Sequence, residues 1–148
     1  MHNLSLLQRM ATPYPHVVAR DISAGGTNKK IVGYVLVLLK EFDSTLIPCL
    51  GDLNQHINLA MDDYGISVGK TRNCIIGGQV CIAKGYRGKT TTNTKYNIFQ
   101  GMYCEMKQRL SQYGYDCIVT SISTQIPRSQ RAHEKIGFQN IYTYTTTL

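Results

Sequence analysis

The sequence predicts a single α/β domain, and three observations support this prediction. The chain has 148 residues, which suffice for one ordinary core and are too few for two domains. Short segments of apolar and β-branched residues alternate with turn-forming residues, and other segments have the period of a helix. In the second half the predicted order is strand, loop, helix, strand, helix, strand, which is typical of α/β proteins.

The first half is predicted to hold a helix followed by a β-hairpin. Residues 4–10 have the pattern of a helix that ends before two prolines. Residues 16–22 and 31–39 are apolar and β-branched, and the glycine-containing stretch between them, SAGGTNKK, predicts a hairpin with a flexible tip. Residues 41–72 have weak periodicity, so no element is assigned to them.

The second half has clearer signals. Residues 73–83 have the pattern of a strand, and residues 97–114 carry an apolar helical stripe that ends in a glycine. Residues 115–124 are predicted to form a strand and residues 127–137 a short helix with proline at its start and glycine at its end. Residues 138–145 are predicted to form a closing strand.

Composition excludes disorder and a membrane span. Hydrophobic residues make up 43% of the chain and charged residues 17%, which is within the range of folded proteins. The longest apolar run, residues 31–39, is far shorter than the roughly 20 residues that a spanning helix needs. The segment after Met1 lacks the apolar stretch of a signal peptide. The sequence therefore predicts a cytoplasmic protein with no membrane partner.

The five cysteines form no C-x-x-C pair, and their number is odd. This pattern predicts neither a disulfide framework nor a thiolate zinc site, so no metal is expected. The cysteines are predicted to be small buried hydrophobic residues. They are Cys49, Cys74, Cys81, Cys104 and Cys117.

The net charge of +7 is concentrated in the second half of the chain. Residues 84–148 hold nine Lys and Arg against three Asp and Glu, whereas residues 1–83 hold seven against six. An anionic partner is therefore expected to bind the second half. The alternative is that the basic balance only keeps the protein soluble.

The loop in CIAKGYRGKT partly matches two known motifs, one that binds phosphate and one that binds RNA. The P-loop pattern would require glycine where Ala83 stands, and a second stretch, GKT at residues 69–71, would require glycine in place of Tyr64. A nucleoside triphosphatase is therefore not favoured. Residues 84–86 begin like the RNA-recognition strand, but the base-stacking aromatics are missing after them. RNA binding is supported only by the net charge, so nucleic acid is not the expected partner.

A resemblance to a protein family covers residues 4–144. VCIAKGYRGK, then IFQGMYCEMKQRL, CIVTSIST and RAHEKIGF, resemble in this order the acetyl-CoA-binding core of the GNAT N-acetyltransferase family. The upstream TPYPHVVARD and KIVGYVLVLLKEF resemble the family's hairpin of second and third strands. The resemblance implies the GNAT-like acyl-CoA N-acyltransferase fold, a mixed, mainly antiparallel sheet flanked by helices, without the family's first strand and helix and its last strand. The short ends indicate a trimmed chain or one completed by a partner, such as a second copy in a homodimer.

The resemblance implies acetyl-CoA as the co-substrate. Its phosphates need backbone N–H groups at a helix start and nearby cations, and its amide arm can add to an exposed strand edge. The expected cofactor-binding residues are therefore the end of a strand and the loop after it: Val80, Cys81 and Ile82, then Arg87, Gly88, Lys89 and Thr90. Two positions depart from the family pattern, because residues 90–96 form an insertion before the helix and Ile126 replaces an asparagine that touches pantetheine.

The implied reaction is direct attack by the primary amine of a small molecule or peptide on the thioester. His133 stands where many members have the tyrosine that protonates the leaving thiolate, and Tyr142 or Tyr144 is the competing proton donor. Asp52 and His56 lie where the acceptor usually enters, so they are the expected substrate-binding residues. The alternative is a degenerate domain that binds CoA or RNA without catalysis.

Overall fold

A computed structural model describes the chain in five parts, which are residues 16–23, 29–38, 55–60 with 62, 73–91 and 95–145. The predicted helix at residues 4–10 lies outside these parts, and so do Cys49 and Asp52. Within the five parts, no helix combines the length and the apolar character that a membrane crossing needs.

Four strands form one mixed sheet and lie side by side in chain order. Neighbours β1–β2 and β2–β3 are antiparallel, and β3–β4 is parallel. The predicted hairpin and the mixed α/β architecture are therefore confirmed. The strands are β1 (Val17–Asp21), β2 (Lys30–Leu38), β3 (Cys74–Ile82) and β4 (Cys117–Thr120).

Between the parallel strands β3 and β4 the chain forms a 3-10 turn, Lys84–Tyr86, and the helix α1, Ile98–Gln112. A capping box begins α1, since Asn97 and Gln100 exchange side-chain to backbone hydrogen bonds. After α1, Gly114 has a φ of 81°, the left-handed conformation that favours glycine past a helix end. The crossover helix thus has sequence-encoded signals at both ends.

The core lies between α1 and one face of the sheet. Strand β2 is buried on both faces, because Val35 and Val37 pack in this core and Leu36 and Leu38 are buried on the opposite face. This double burial explains its continuous apolar sequence. The buried residues of the core cluster are Val17, Val32, Val35, Val37, Ile75, Ile98, Met102, Tyr103, Met106 and Leu110.

A second helix, α2 (Pro127–Glu134), begins with proline as predicted, and Gly137 follows it at a φ of 97°. The predicted strand over residues 138–145 is wrong, because these residues form no strand. The Asn140 side chain accepts a hydrogen bond from the Tyr142 N–H at 3.2 Å and donates one to the Thr143 hydroxyl at 3.3 Å. Such local bonds compete with strand pairing.

The prediction about the cysteines is wrong in two respects. Cys74 and Cys117 form a disulfide, although 43 positions separate them. They stand opposite each other at the first register position of β3 and β4, which residue spacing does not reveal. Cys81 is exposed rather than buried. Because disulfides are rare in reducing compartments such as the cytoplasm, this bond gives no support to the cytoplasmic location, which stays a prediction.

The stability of the core is tested by Met106→Ala, since Met106 is fully buried between α1 and the sheet. We expect a loss of about 2–5 kcal/mol in the free energy of unfolding, because the substitution leaves a cavity. The matched control is Lys107→Ala at the exposed next position of the same helix, with a change within about 0.5 kcal/mol. Urea unfolding measures both, and equal losses would contradict the described packing.

Candidate functional site

Strands β3 and β4 separate after a short parallel pairing. Their register ends at Gly77 and Thr120. Strand β3 then continues along β2 to Ile82, whereas β4 ends. Among the described residues, no strand therefore pairs with the β4 side of residues 78–82, and a cleft opens there.

A β-bulge lies at the point of separation. Val37 of β2 stands opposite Gly77, but Leu36 stands opposite Gln79, so Gly78 is an extra residue in β3. A bulge bends its strand and increases the local twist, which turns the end of β3 away from β4.

Close contacts explain why two glycines occupy this position. A Cβ on Gly77 would lie 3.2 Å from the Cβ of Thr120, and one on Gly78 would lie 3.1 Å from a methyl group of Leu38. The Thr120 hydroxyl also donates to the Gly77 carbonyl at 3.0 Å. Sequence analysis missed this pair, although adjacent glycines inside a strand pattern are a signal for a bulge.

The cleft has a volume of about 290 Å³. One wall is the end of β3, and the other is the chain after β4 together with α2. Residues from both walls and from α1 line it, including Gly78, Val80, Tyr103, Ser121, Ile126 and His133.

Backbone alternation determines which groups of β3 face this cleft. The Ala83 N–H donates to the Val32 carbonyl of β2 at 2.9 Å. In an antiparallel pair successive residues point their N–H and C=O groups to opposite sides. The backbone groups of Cys81 therefore face β2, and those of Val80 and Ile82 face the open side. Of the three strand residues predicted to pair with a ligand, two point their backbone groups to the open side, and the carbonyl of one of them, Ile82, accepts a hydrogen bond from Arg87.

The loop after β3 is tied to the hairpin. The Tyr86 hydroxyl donates to the Asp21 carboxylate at 2.6 Å, and the Lys89 ammonium lies 4.6 Å from the centre of the Tyr86 ring. The Arg87 Nε donates to the Ile82 carbonyl at 3.1 Å, at the end of the open edge. These contacts fix the direction in which the loop presents its cations.

All four loop residues predicted to bind the cofactor lie together on an exposed turn. Gly88 has a φ of 80°, which a side chain would strain, and a Cβ there would meet nothing within 4 Å. Arg87, Lys89 and Thr90 are exposed beside it. A small anion can therefore approach the backbone and two cations at one place.

The start of α1 differs from the expectation. The Ile98 N–H donates to the Lys89 carbonyl at 3.1 Å, and the Gln100 N–H donates to the Asn97 side chain at 2.9 Å. Thr90 bridges to Asn97, so the two ends of the predicted insertion are paired. The Lys89 carbonyl and the Asn97 cap thus occupy helix-start N–H groups that were expected to be open to a phosphate.

His133 is buried in the cleft wall rather than exposed on its helix, with 3% of its surface accessible. Its Nε2 lies 2.9 Å from the Tyr103 hydroxyl, and its Nδ1 lies 2.8 Å from the Ser129 carbonyl. The rings of Phe99 and Phe138 meet the imidazole edge to face. Burial raises the pKa of Tyr103 to about 12.

The other predicted catalytic and substrate residues form a second cluster. The His56 ring stacks on Tyr144 at 3.9 Å between centres, and Tyr142 lies 5.8 Å from His56. The Tyr144 hydroxyl is 2.9 Å from that of Ser121, which lines the cleft. The structure thus brings His56 and Tyr142 together and joins them to the cleft through Ser121.

No family model, no curated protein and no solved structure matches this chain. Among the described residues, no group of three or more His, Cys, Asp or Glu is placed to hold a metal ion. A functional assignment therefore depends on the cleft, the basic loop and the sequence resemblance.

Acid titration tests the anchoring of the loop. Hydrogen bonds from Ser23 and then from Tyr86 lower the pKa of Asp21 to about 2 from 3.8. The stabilisation from ionised Asp21 is present above about pH 3.8 and is lost as the pH falls through 2. NMR titration should show that Ser23→Ala raises the pKa of Asp21 more than Tyr86→Phe does. An unchanged pKa in Tyr86→Phe would contradict the loop contact.

Proposed function

We propose that this chain is a GNAT-type N-acetyltransferase that moves the acetyl group of acetyl-CoA to a primary amine. The observation that carries the proposal is the open edge of β3, where Val80 and Ile82 point backbone groups away from β2 beside a cleft of about 290 Å³. The pantetheine arm of CoA is an extended chain with two amides. Such a chain can add to a strand edge through backbone hydrogen bonds.

The basic loop supports the same ligand. Arg87, Gly88 and Lys89 lie on one exposed turn directly after the open edge, where the phosphates of a bound CoA would follow its arm. Because two helix-start N–H groups are engaged by the protein itself, the cations and the Gly88 backbone are the main phosphate contacts in this proposal. Charge-assisted bonds to phosphate are about twice as strong as neutral ones.

The chemistry follows from these positions. The arm along β3 brings the thioester to the bulge, where an outward N–H polarises the carbonyl while a neutral amine attacks it. The acceptor, a small-molecule or peptide amine, enters beside the stack of His56, Tyr142 and Tyr144, which Ser121 joins to the cleft. Asp52 lies outside the described residues, so its contact with the acceptor stays a prediction.

A second candidate is a domain that binds CoA without catalysis, and the engaged start of α1 favours it. A transfer assay with acetyl-CoA and a panel of primary amines separates the two candidates, with free thiol and acetylated amine measured together. Turnover supports the enzyme. Thermal stabilisation by CoA without turnover supports the binding domain, because a ligand bound only by the folded state raises stability.

The phosphate contacts are tested by Arg87→Ala and Lys89→Ala. We expect each to weaken CoA binding by about tenfold or more, because a charge-assisted contact contributes about 1.5–3 kcal/mol. Both side chains are exposed, so the unfolding free energy should change little. Calorimetric titration measures the affinity, with Lys107→Ala as the control for loss of a cation elsewhere. Unchanged affinity in both variants would exclude this loop as the phosphate site.

The open edge is tested by Val80→Pro. Proline removes the N–H that faces the cleft and also replaces the valine side chain, and a strand tolerates proline where that N–H is not part of its ladder. We expect the fold to remain and the affinity for CoA to fall by about three- to tenfold, the value of one hydrogen bond of about 1 kcal/mol. Val80→Ala, which keeps the N–H, is the control. If Val80→Pro binds CoA as the wild type does, the arm does not pair with this edge.

A further inference from the structure

The cleft wall contains a buried pair of polar side chains that takes no part in the contacts proposed for the loop and the open edge. Tyr103 reaches from α1 and His133 from α2, and their hydroxyl and Nε2 lie 2.9 Å apart. Both line the cleft. His133 also lies 2.8 Å from the Ser129 carbonyl through Nδ1, and the rings of Phe99 and Phe138 pack against both side chains. A hydrogen-bonded pair in such an apolar cage has a defined geometry.

The direction of each hydrogen bond follows from its acceptor. The Ser129 carbonyl can only accept, so Nδ1 of His133 carries a hydrogen. In the neutral imidazole Nε2 then accepts from the Tyr103 hydroxyl. In the imidazolium Nε2 donates to the phenol oxygen instead, and the phenol hydrogen is free to point into the cleft. The pair thus has two arrangements that differ by one proton.

Sequence analysis expected His133 itself to protonate the leaving group. Both ring nitrogens are engaged by protein groups, Nε2 by the Tyr103 hydroxyl at 2.9 Å and Nδ1 by the Ser129 carbonyl at 2.8 Å. The Tyr103 oxygen is the group through which this pair can reach a ligand. Because burial raises the pKa of Tyr103 to about 12, the phenol keeps its proton at neutral pH and acts as a donor.

On the basis of the proposed acetyl transfer, we propose that Tyr103 is the catalytic residue that protonates the departing CoA thiolate and that His133 is a positioning residue that supplies the proton through it. The amine nitrogen forms a bond to the acetyl carbon, and the C–S bond breaks with its electron pair on sulfur. In the arrangement with the His133 imidazolium, sulfur takes the phenol proton and the phenol oxygen takes the Nε2 proton, which leaves the imidazole neutral. The new amide nitrogen loses one proton to water, and His133 regains one from water.

Three variants test this assignment in the full chain. Tyr103→Phe removes only the hydroxyl, and Tyr103→Phe with His133→Leu removes both polar groups, so no buried nitrogen is left unpaired. We expect both to lower kcat with acetyl-CoA by about 10²–10⁴-fold, the usual contribution of a positioned acid, at unchanged CoA affinity. Tyr113→Phe, at an exposed tyrosine just past α1, should keep the wild-type rate.

A second acetyl donor distinguishes proton donation from a structural role. With p-nitrophenyl acetate and the same amine, the leaving nitrophenolate needs no proton, so the variants should react within about threefold of the wild type, a difference below 1 kcal/mol. Equal losses with both donors, or full turnover of Tyr103→Phe with acetyl-CoA, would overturn the assignment of Tyr103 and leave the proposed function standing. A wild type that acetylates no amine from acetyl-CoA would overturn the proposed function and this assignment with it.

Discussion

Parallel pairing between β3 and β4 stops at Gly77 and Thr120, and the candidate site exists because it stops there. Continued pairing would cover the outward backbone groups of Val80 and Ile82 and leave no room between the strands. The extra residue Gly78 bends β3 at this point. The Thr120 hydroxyl donates a hydrogen bond to the Gly77 carbonyl, the last of the paired segment. The disulfide of the two opposite cysteines joins the strands at the other end of the same short ladder.

Helix α1 links the sheet, where β3 and β4 separate, to the cleft wall that contains α2. Its buried face covers the sheet, and Tyr103 on that face reaches His133 of α2. Edge-to-face ring pairs with Phe99 and Phe138 surround the bond, and each such pair contributes about 0.5–1.5 kcal/mol beyond the area it buries. The wall opposite the open strand edge is therefore fixed by packing and by one buried hydrogen bond together.

The loop between the open edge and α1 is positioned by contacts distant in sequence. Tyr86 reaches Asp21 of β1, 65 positions earlier in the chain, and Lys89 lies over the Tyr86 ring. The Lys89 carbonyl of the same loop accepts a hydrogen bond from the Ile98 N–H. Arg87 and Lys89 are exposed although each also contacts the protein, and part of the helix start is engaged by the protein itself. This distinguishes the loop from one whose phosphate binding depends on helix N–H groups.

By itself, the sequence determined the identity and the approximate bounds of β1, β2, β3, α1 and α2, because their signals are local, but it assigned no element to the helical residues 55–60. Apolar and β-branched segments predicted β1, β2 and β3, a helical stripe predicted α1, and proline and glycine marked the ends of α2. Only the tertiary structure decided the rest: the early end of β4, the disulfide, the bulge, the irregular path of residues 138–145 and the burial of His133 against Tyr103. The bulge had a local signal in its two adjacent glycines, and local bonds of Asn140 hold residues 138–145. The end of β4, the disulfide and the burial of His133 depend on strand register or on contacts between segments distant in the chain, and neither residue spacing nor periodicity carries that information.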